Sequence, residues 1–147
     1  MEIISHSLVE TEQLAVECLA QLIKEKRQTG KATTVGLIGN LGSGKTTFTQ
    51  AVARVLGVTG RVTSPTFVIM KKYLVKESPW RNLVHIDCYR LENQKDLLCL
   101  GWDELVANPE NLILVEWPER VGDLLSSPTL KIKFEIINET TRKIIYG

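Results

Sequence analysis

The run Gly39-Asn40-Leu41-Gly42-Ser43-Gly44-Lys45-Thr46 matches the phosphate-cradling pattern G-x-x-x-x-G-K-[ST] in full, and it constrains the fold more than any other stretch. Such a loop works where a strand enters it and a helix leaves it. Its glycines let the backbone take φ values forbidden to other residues and turn N–H groups inward, where they and the helix dipole hold phosphates. Both flanks are present. "TTVGLI" (33–38) is a short apolar, β-branched run suited to a central parallel strand, and a helical pattern follows through Lys45, Phe48, Ala51, Val52, Val55 and Leu56 until Gly57 stops it at a C′ position. In that context Lys45 reaches the β- and γ-phosphates and the Thr46 hydroxyl takes Mg²⁺.

The rest of the chain extends this unit into one α/β domain over residues 1–147. "MEIISHSLV" reads as an edge strand. Thr11 is placed as the N-cap of a helix running to about Gln28, with Leu14, Cys18, Leu19, Leu22 and Ile23 on one apolar stripe and Gly30 closing it. Val68 to Val75 and "NLVHID" read as strands separated by the turn "SPW", and "QKDLLCLG" and "WDELVAN" as short helices. "NLILVEW" reads as a buried parallel strand, and "TLKIKFEI" with "RKIIY" as a C-terminal antiparallel hairpin. The expected fold is P-loop NTPase-like: a mixed, mostly parallel sheet with helices on both faces.

A net charge of +1 argues against binding nucleic acid or an anionic membrane through a broad basic surface, so any RNA role runs through a partner. No apolar stretch approaches the roughly 20 residues of a membrane span, and the N-terminal residues lack a basic start followed by a long apolar run. The chain reads as soluble and cytoplasmic. Cys18, Cys88 and Cys99 are odd in number, lie in apolar contexts and form no C-x-x-C, which fits reduced packing thiols better than disulfides or zinc ligands.

A P-loop needs a carboxylate at the end of a neighbouring strand. Asp87 after "LVHI" and Glu116 after "LILV" both qualify; Glu116 is favoured on the metal side because its strand is more completely apolar and therefore more central. "TSPTF" lies where nucleotide-sensing switch segments occur, so Ser64 and Thr66 can offer hydroxyls with Pro65 stiffening the turn, although an ordinary turn fits equally well. His85 shares a strand face with Asp87 if no bulge intervenes; a packed, hydrogen-bonded histidine is the preferred reading. Lys71, Lys72 and Lys76 read as protection for an edge strand.

The nucleotide reads as ATP. "NQKD" (93–96) has its lysine in the wrong place for guanine recognition and no D-x-x-G follows. A stand-alone small-molecule kinase is the alternative, but such an enzyme wants a lid with several arginines, and none occurs between Glu92 and Leu112.

Four strings together, "GNLGSGKTTFTQ", "TSPTF", "HIDCYRL" and "LVEWPER", resemble the bacterial TsaE family in order and spacing along nearly the whole chain. The resemblance implies the P-loop ATPase of tRNA threonylcarbamoyladenosine synthesis. Such a protein acts with a TsaD-type transferase and a TsaB-type partner, meets tRNA through that complex, and resets the transferase between turnovers by hydrolysing ATP. It implies Mg²⁺ on Thr46 and Glu116, catalytic roles for Asp87 and Lys45, and nucleotide contacts from Leu41, Gly42, Ser43, Gly44, Lys45, Thr46, Thr47 and Thr66. Thr11 and Arg142 match positions near the base; taken alone, they read as a helix cap and a surface strand residue. Trp117 and Arg120 match partner-facing positions, while a buried Trp and a solvated Arg fit equally well. The departure is Asn40, where the family usually carries an acid. An amide can accept a hydrogen bond there but supplies neither charge nor base.

Overall fold

The computed structural model describes residues 1–26, 30–60, 62–63, 69–76, 78–125 and 128–147. Seven strands form one sheet: β1 (Glu2–Ser5), β2 (Thr33–Ile38), β3 (Met70–Leu74), β4 (Asn82–Asp87), β5 (Asn111–Glu116), β6 (Leu130–Ile136) and β7 (Arg142–Tyr146), in the spatial order β1-β7-β6-β2-β5-β4-β3. The inner four, β6, β2, β5 and β4, run parallel, whereas β1, β7 and β3 add antiparallel edges. "TTVGLI", "NLVHID", "NLILVE", "LKIKFEI" and "RKIIY" become strands, whereas of the expected edge strand "MEIISHSLV" only Glu2–Ser5 is strand, because the Ser7 cap starts α1 at Leu8. In β2, β4 and β5 the continuous hydrophobicity reflects burial on both faces.

Two apolar layers sandwich the sheet. On one face α1 (Leu8–Glu25) and α2 (Lys45–Val55) cover Val35, Leu37, Leu83, Leu112, Leu114 and Ile132. On the other, α3 (Gln94–Cys99), α4 (Trp102–Ala107) and a 3₁₀ segment (Pro118–Leu125) cover Val84, Ile86, Ile113 and Val115. Phe48 of α2 meets Phe134 of β6 edge-on at 5.8 Å, a contact worth about 0.5–1.5 kcal/mol beyond burial that ties the helix after the P-loop to the hairpin strand.

The helix ends show which local signals prevail. After α2, Gly57 adopts φ +74° and donates to Arg54 O at 3.1 Å, while Val58 N reaches Ala53 O at 3.0 Å; these paired bonds make the expected glycine stop. At the start of α1 the expectation fails. Ser7, not Thr11, is the N-cap: its side chain accepts from Glu10 N, and Ser7-x-x-Glu10 is the stronger start signal. Thr11 lies inside the helix, buried, with its Oγ1 3.0 Å from Ser5 Oγ. The helix also ends earlier, at Glu25. The third strand is described from Met70, so its expected start at Val68 lies outside the described residues, as do Ser64, Pro65 and Thr66.

Candidate functional site

Because β2, β4 and β5 run parallel, their carboxyl ends converge at one edge of the sheet, where the P-loop leaves β2 and α2 begins. A cleft of about 460 Å³ opens there. Of the sequence-derived site residues, Thr11, Leu41, Gly42, Ser43, Gly44, Lys45, Thr46, Thr47, Asp87, Glu116 and Arg142 all line it, and Thr66 lies outside the described residues.

The loop has the form of an anion cradle. Gly44 caps α2 with φ +108° and no side-chain hydrogen bond, and the first turn of α2 contains no acid. Its leading N–H groups and positive dipole end therefore face the cleft without an internal carboxylate to satisfy them. Gly39 admits no side chain: a Cβ there would stand 2.6 Å from Ser43 Oγ and 2.7 Å from Phe134 O. Ser43 Oγ is buried and makes no hydrogen bond among the described residues. Buried hydroxyls are almost always satisfied, so this one suits an oxygen-rich ligand in the loop.

Lys45 is buried and folds back onto the loop, donating to Gly39 O and, at 2.9 Å, to Asn40 O. Its ammonium also lies 4.7 Å from the ring centroid of Trp117. Burial pulls its pKa down against the opposing pull of Glu116, Asp87 and Glu119. Asp87 and Glu116 are directly opposed across the β4–β5 ladder, and both are buried. Tyr89 N fixes one Asp87 oxygen at 2.9 Å, and Thr46 Oγ1 donates to Glu116 Oε1 at 3.0 Å. Burial pushes the Glu116 carboxyl up, but His85, Thr46 and Lys45 outweigh it and the net shift is downward, towards a carboxylate held ionised.

One hydroxyl and two carboxylates are a hard, oxygen-only donor set, which suits Mg²⁺ rather than zinc or copper. Among the described residues no group of three or more His, Cys, Asp or Glu could hold a metal by itself. Mg²⁺ commonly binds through one or two carboxylates plus phosphates and water, and this donor set fits that pattern.

Arg142 is more than a surface strand residue. From β7 its guanidinium reaches Gly42 O at 3.1 Å, bracing the P-loop, while Asn138 O accepts from it at 2.6 Å. Asn40 contributes its backbone: its carbonyl accepts from Lys45 and Ser43, while its side chain is exposed. Trp117, left between partner face and core, lines the cleft. It has the left-handed φ of +56°, rare for a bulky residue, and its ring packs 5.0 Å from Tyr89. His6, Leu8, Glu139 and Thr140 also line the cleft and were missed. No local pattern marks them; they arrive because β1 and the β6–β7 turn end beside the P-loop. Cys18 and Cys88 are buried as expected, but Cys99 is exposed at the end of α3.

The chain is similar to known proteins along most of its length. The family model "Threonylcarbamoyl adenosine biosynthesis protein TsaE" matches residues 5–144. The tRNA threonylcarbamoyladenosine biosynthesis protein TsaE of Bacillus subtilis is 38% identical over 110 residues, spanning 75% of this chain and 66% of that protein. Its namesake from Rickettsia felis is 34% identical over 134 residues, covering 90% of this chain and 71% of the relative. The crystal structure of Bacillus subtilis YdiB superposes with a TM-score of 0.72 at 29% identity, covering 98% of this chain and 82% of that one. With a similarity that runs through the loop, both strand-end acids and the C-terminal hairpin, the chain belongs to the TsaE family of tRNA threonylcarbamoyladenosine biosynthesis.

Proposed function

We propose that the chain binds ATP with Mg²⁺ in this cleft and hydrolyses it as the accessory ATPase of a threonylcarbamoyl-transfer complex. In that complex it resets a TsaD-type transferase and its TsaB-type partner between rounds of modification of the adenosine beside the tRNA anticodon. The observation that carries the reading is the 3.0 Å bond from Thr46 to Glu116, at the mouth of a P-loop and opposite Asp87. It joins the P-loop hydroxyl to a strand-end acid, the two groups that would hold Mg²⁺ between them.

In this reading Lys45 leaves the carbonyls of Gly39 and Asn40 for the β- and γ-phosphates, a short swing for a flexible ammonium. The loop N–H groups and the start of α2 hold the phosphate oxygens, and Ser43 gains a partner. Thr46 and Glu116 would hold Mg²⁺, which when bound would neutralise charge developing on the phosphoryl oxygens. Asp87, oriented by Tyr89 N, accepts a hydrogen bond from the attacking water. Thr11, Leu41, Thr47 and Arg142, which line the same cleft, would border the base and ribose. Asn40 is exposed and is not among the residues that line the cleft, so its lack of charge bears on docking rather than on phosphate binding.

The kinase alternative has less support. Residues 93–107, where a lid would lie, place Leu97 and Trp102 in the core of the second sheet face. The deciding measurement is reconstitution of tRNA modification from the transferase pair with and without this chain. Sustained turnover is expected only with the chain and ATP; many turnovers in its absence would overturn the proposed role.

A further inference from the structure

His85 is the one fully buried imidazole of the fold's two histidines, with 0% exposure in the middle of β4. Across the ladders it pairs with Lys71 of β3 and Leu114 of β5, and it shares its sheet face with Leu83 and Asp87. Leu or Phe would fill such a position without burying a polar ring. Among the described residues neither ring nitrogen makes a hydrogen bond of ordinary geometry. A buried polar group left in that state calls for an explanation.

The group it faces supplies one. Glu116 sits diagonally across the β4–β5 ladder, since His85 pairs with Leu114 and Asp87 with Glu116. His85 Nε2 stands 3.5 Å from Glu116 Oε2. The other oxygen, Oε1, accepts from Thr46 at 3.0 Å. The carboxylate is thus held between the P-loop hydroxyl on one side and the imidazole on the other. Closing the imidazole contact by about half an ångström gives an ordinary N–H···O bond.

We propose that His85 is a positioning residue for Glu116. The inference rests on the reading of Glu116 as a magnesium ligand and adds what holds that ligand. The imidazole carries a proton on Nε2 and donates it to Oε2, which fixes the rotation of the carboxylate and keeps Oε1 aimed at Thr46 and the metal position. Ligating carboxylates generally need such an outer partner, and its loss commonly costs 10- to 100-fold in metal affinity. Lys71, the charged group across the other ladder, donates to the Thr63 hydroxyl.

The test uses ATP binding to the full chain, titrated with Mg²⁺ and repeated in excess EDTA. His85→Gln places an amide N–H near the Nε2 position, whereas His85→Asn is too short to reach Oε2. The Asn variant is expected to need about 10- to 100-fold more Mg²⁺ for the same tightening of ATP binding, with affinity in EDTA unchanged. The Gln variant should stay within about threefold of wild type, because it restores the donor. Wild-type Mg²⁺ dependence in the Asn variant, or an equal loss in both, would overturn the proposal.

Nitrogen-15 NMR of the imidazoles reads the same contact in the wild-type chain and requires no variant to fold. Nε2 of His85 should carry a proton, its resonance moving when Mg²⁺ joins bound ATP; a ring bare at Nε2 would refute the contact. ATP binding indifferent to Mg²⁺ in the wild type would instead remove the metal reading of Glu116, while the proton on Nε2 would still judge the His85 bond.

Discussion

At one end of the β4–β5 ladder Asn82 faces Asn111, and at the other Asp87 faces Glu116; all four side chains are buried. The amide end is closed. Asn82 Nδ2 donates to Asn111 Oδ1 at 3.0 Å, and Asn111 Nδ2 donates to Leu105 O at 3.0 Å, so neutral groups satisfy one another and tie the strands to α4. The acid end is open. Directly opposed carboxylates repel, and the ammonium of Lys45 flanks them. The same pair of strands thus ends once in a self-sufficient bond and once in two opposed carboxylates, which the proposed cation and phosphate chain would complete. The first end serves stability, and the second keeps its polar capacity for a ligand.

Lys45→Ala should break the acid end most severely. It removes the charge that balances Asp87 and Glu116 and the group that meets the phosphates, so ATP affinity should fall by at least about 100-fold, or about 2.7 kcal/mol. Equilibrium binding to the purified variant measures this. Near-normal affinity would mean that the nucleotide is held elsewhere.

Asn111→Leu should strike the opposite end with the opposite signature. Similar volume is kept and Leu105 O keeps its bond from Asn108 N at 3.4 Å, but Asn82 Nδ2 loses the Asn111 acceptor, at a cost of about 1–3 kcal/mol in unfolding free energy. ATP affinity should not change. Denaturant unfolding beside a binding titration separates the two readouts. Replacing Asn82 with Leu as well should recover much of the loss, because removing both members of a buried pair leaves nothing unsatisfied.

The sequence carries these two ends with unequal clarity. The acid end announces itself: an apolar run ending in a carboxylate beside a P-loop implies Asp87 and Glu116, because parallel strands place their carboxyl ends together. The amide end is silent, since Asn82 and Asn111 each look like a polar residue opening a strand and their pairing depends on register. At α1 the start signal is local and legible: Ser7-x-x-Glu10 outranks Thr11 as a cap, because the Ser7 hydroxyl stands where it can accept from Glu10 N. Nothing near Arg142 tells of its reach to Gly42, one hundred residues away in sequence, and nothing near Trp117 tells that its backbone turns left-handed to bring the ring over Lys45. Such placements follow from how strands pair and cross, which periodicity within one segment does not encode.

The smallest effect is expected at the thiols, where the acid end can be probed without disturbing it. Cys88 follows Asp87, and burial, with Asp87 and Glu119 adding to it, pushes its thiol up to about 12. Cys18, on the buried side of α1, is likewise pushed up to about 12, chiefly by burial. A raised thiol stays protonated until the pH approaches that value, so at pH 8 only about one molecule in ten thousand carries either thiolate. Cys99 is exposed on α3, against the other face of the sheet. A thiol reagent at pH 8 should therefore attach one label to the native chain, at Cys99, and leave ATP affinity unchanged within about twofold, as for a surface change remote from the site. All three should react in denaturant. Peptide mapping assigns the label; its appearance on Cys88 in the native chain would mean that the acid end opens by itself, and the contrast with the closed amide end would then be one of local stability as well as of charge.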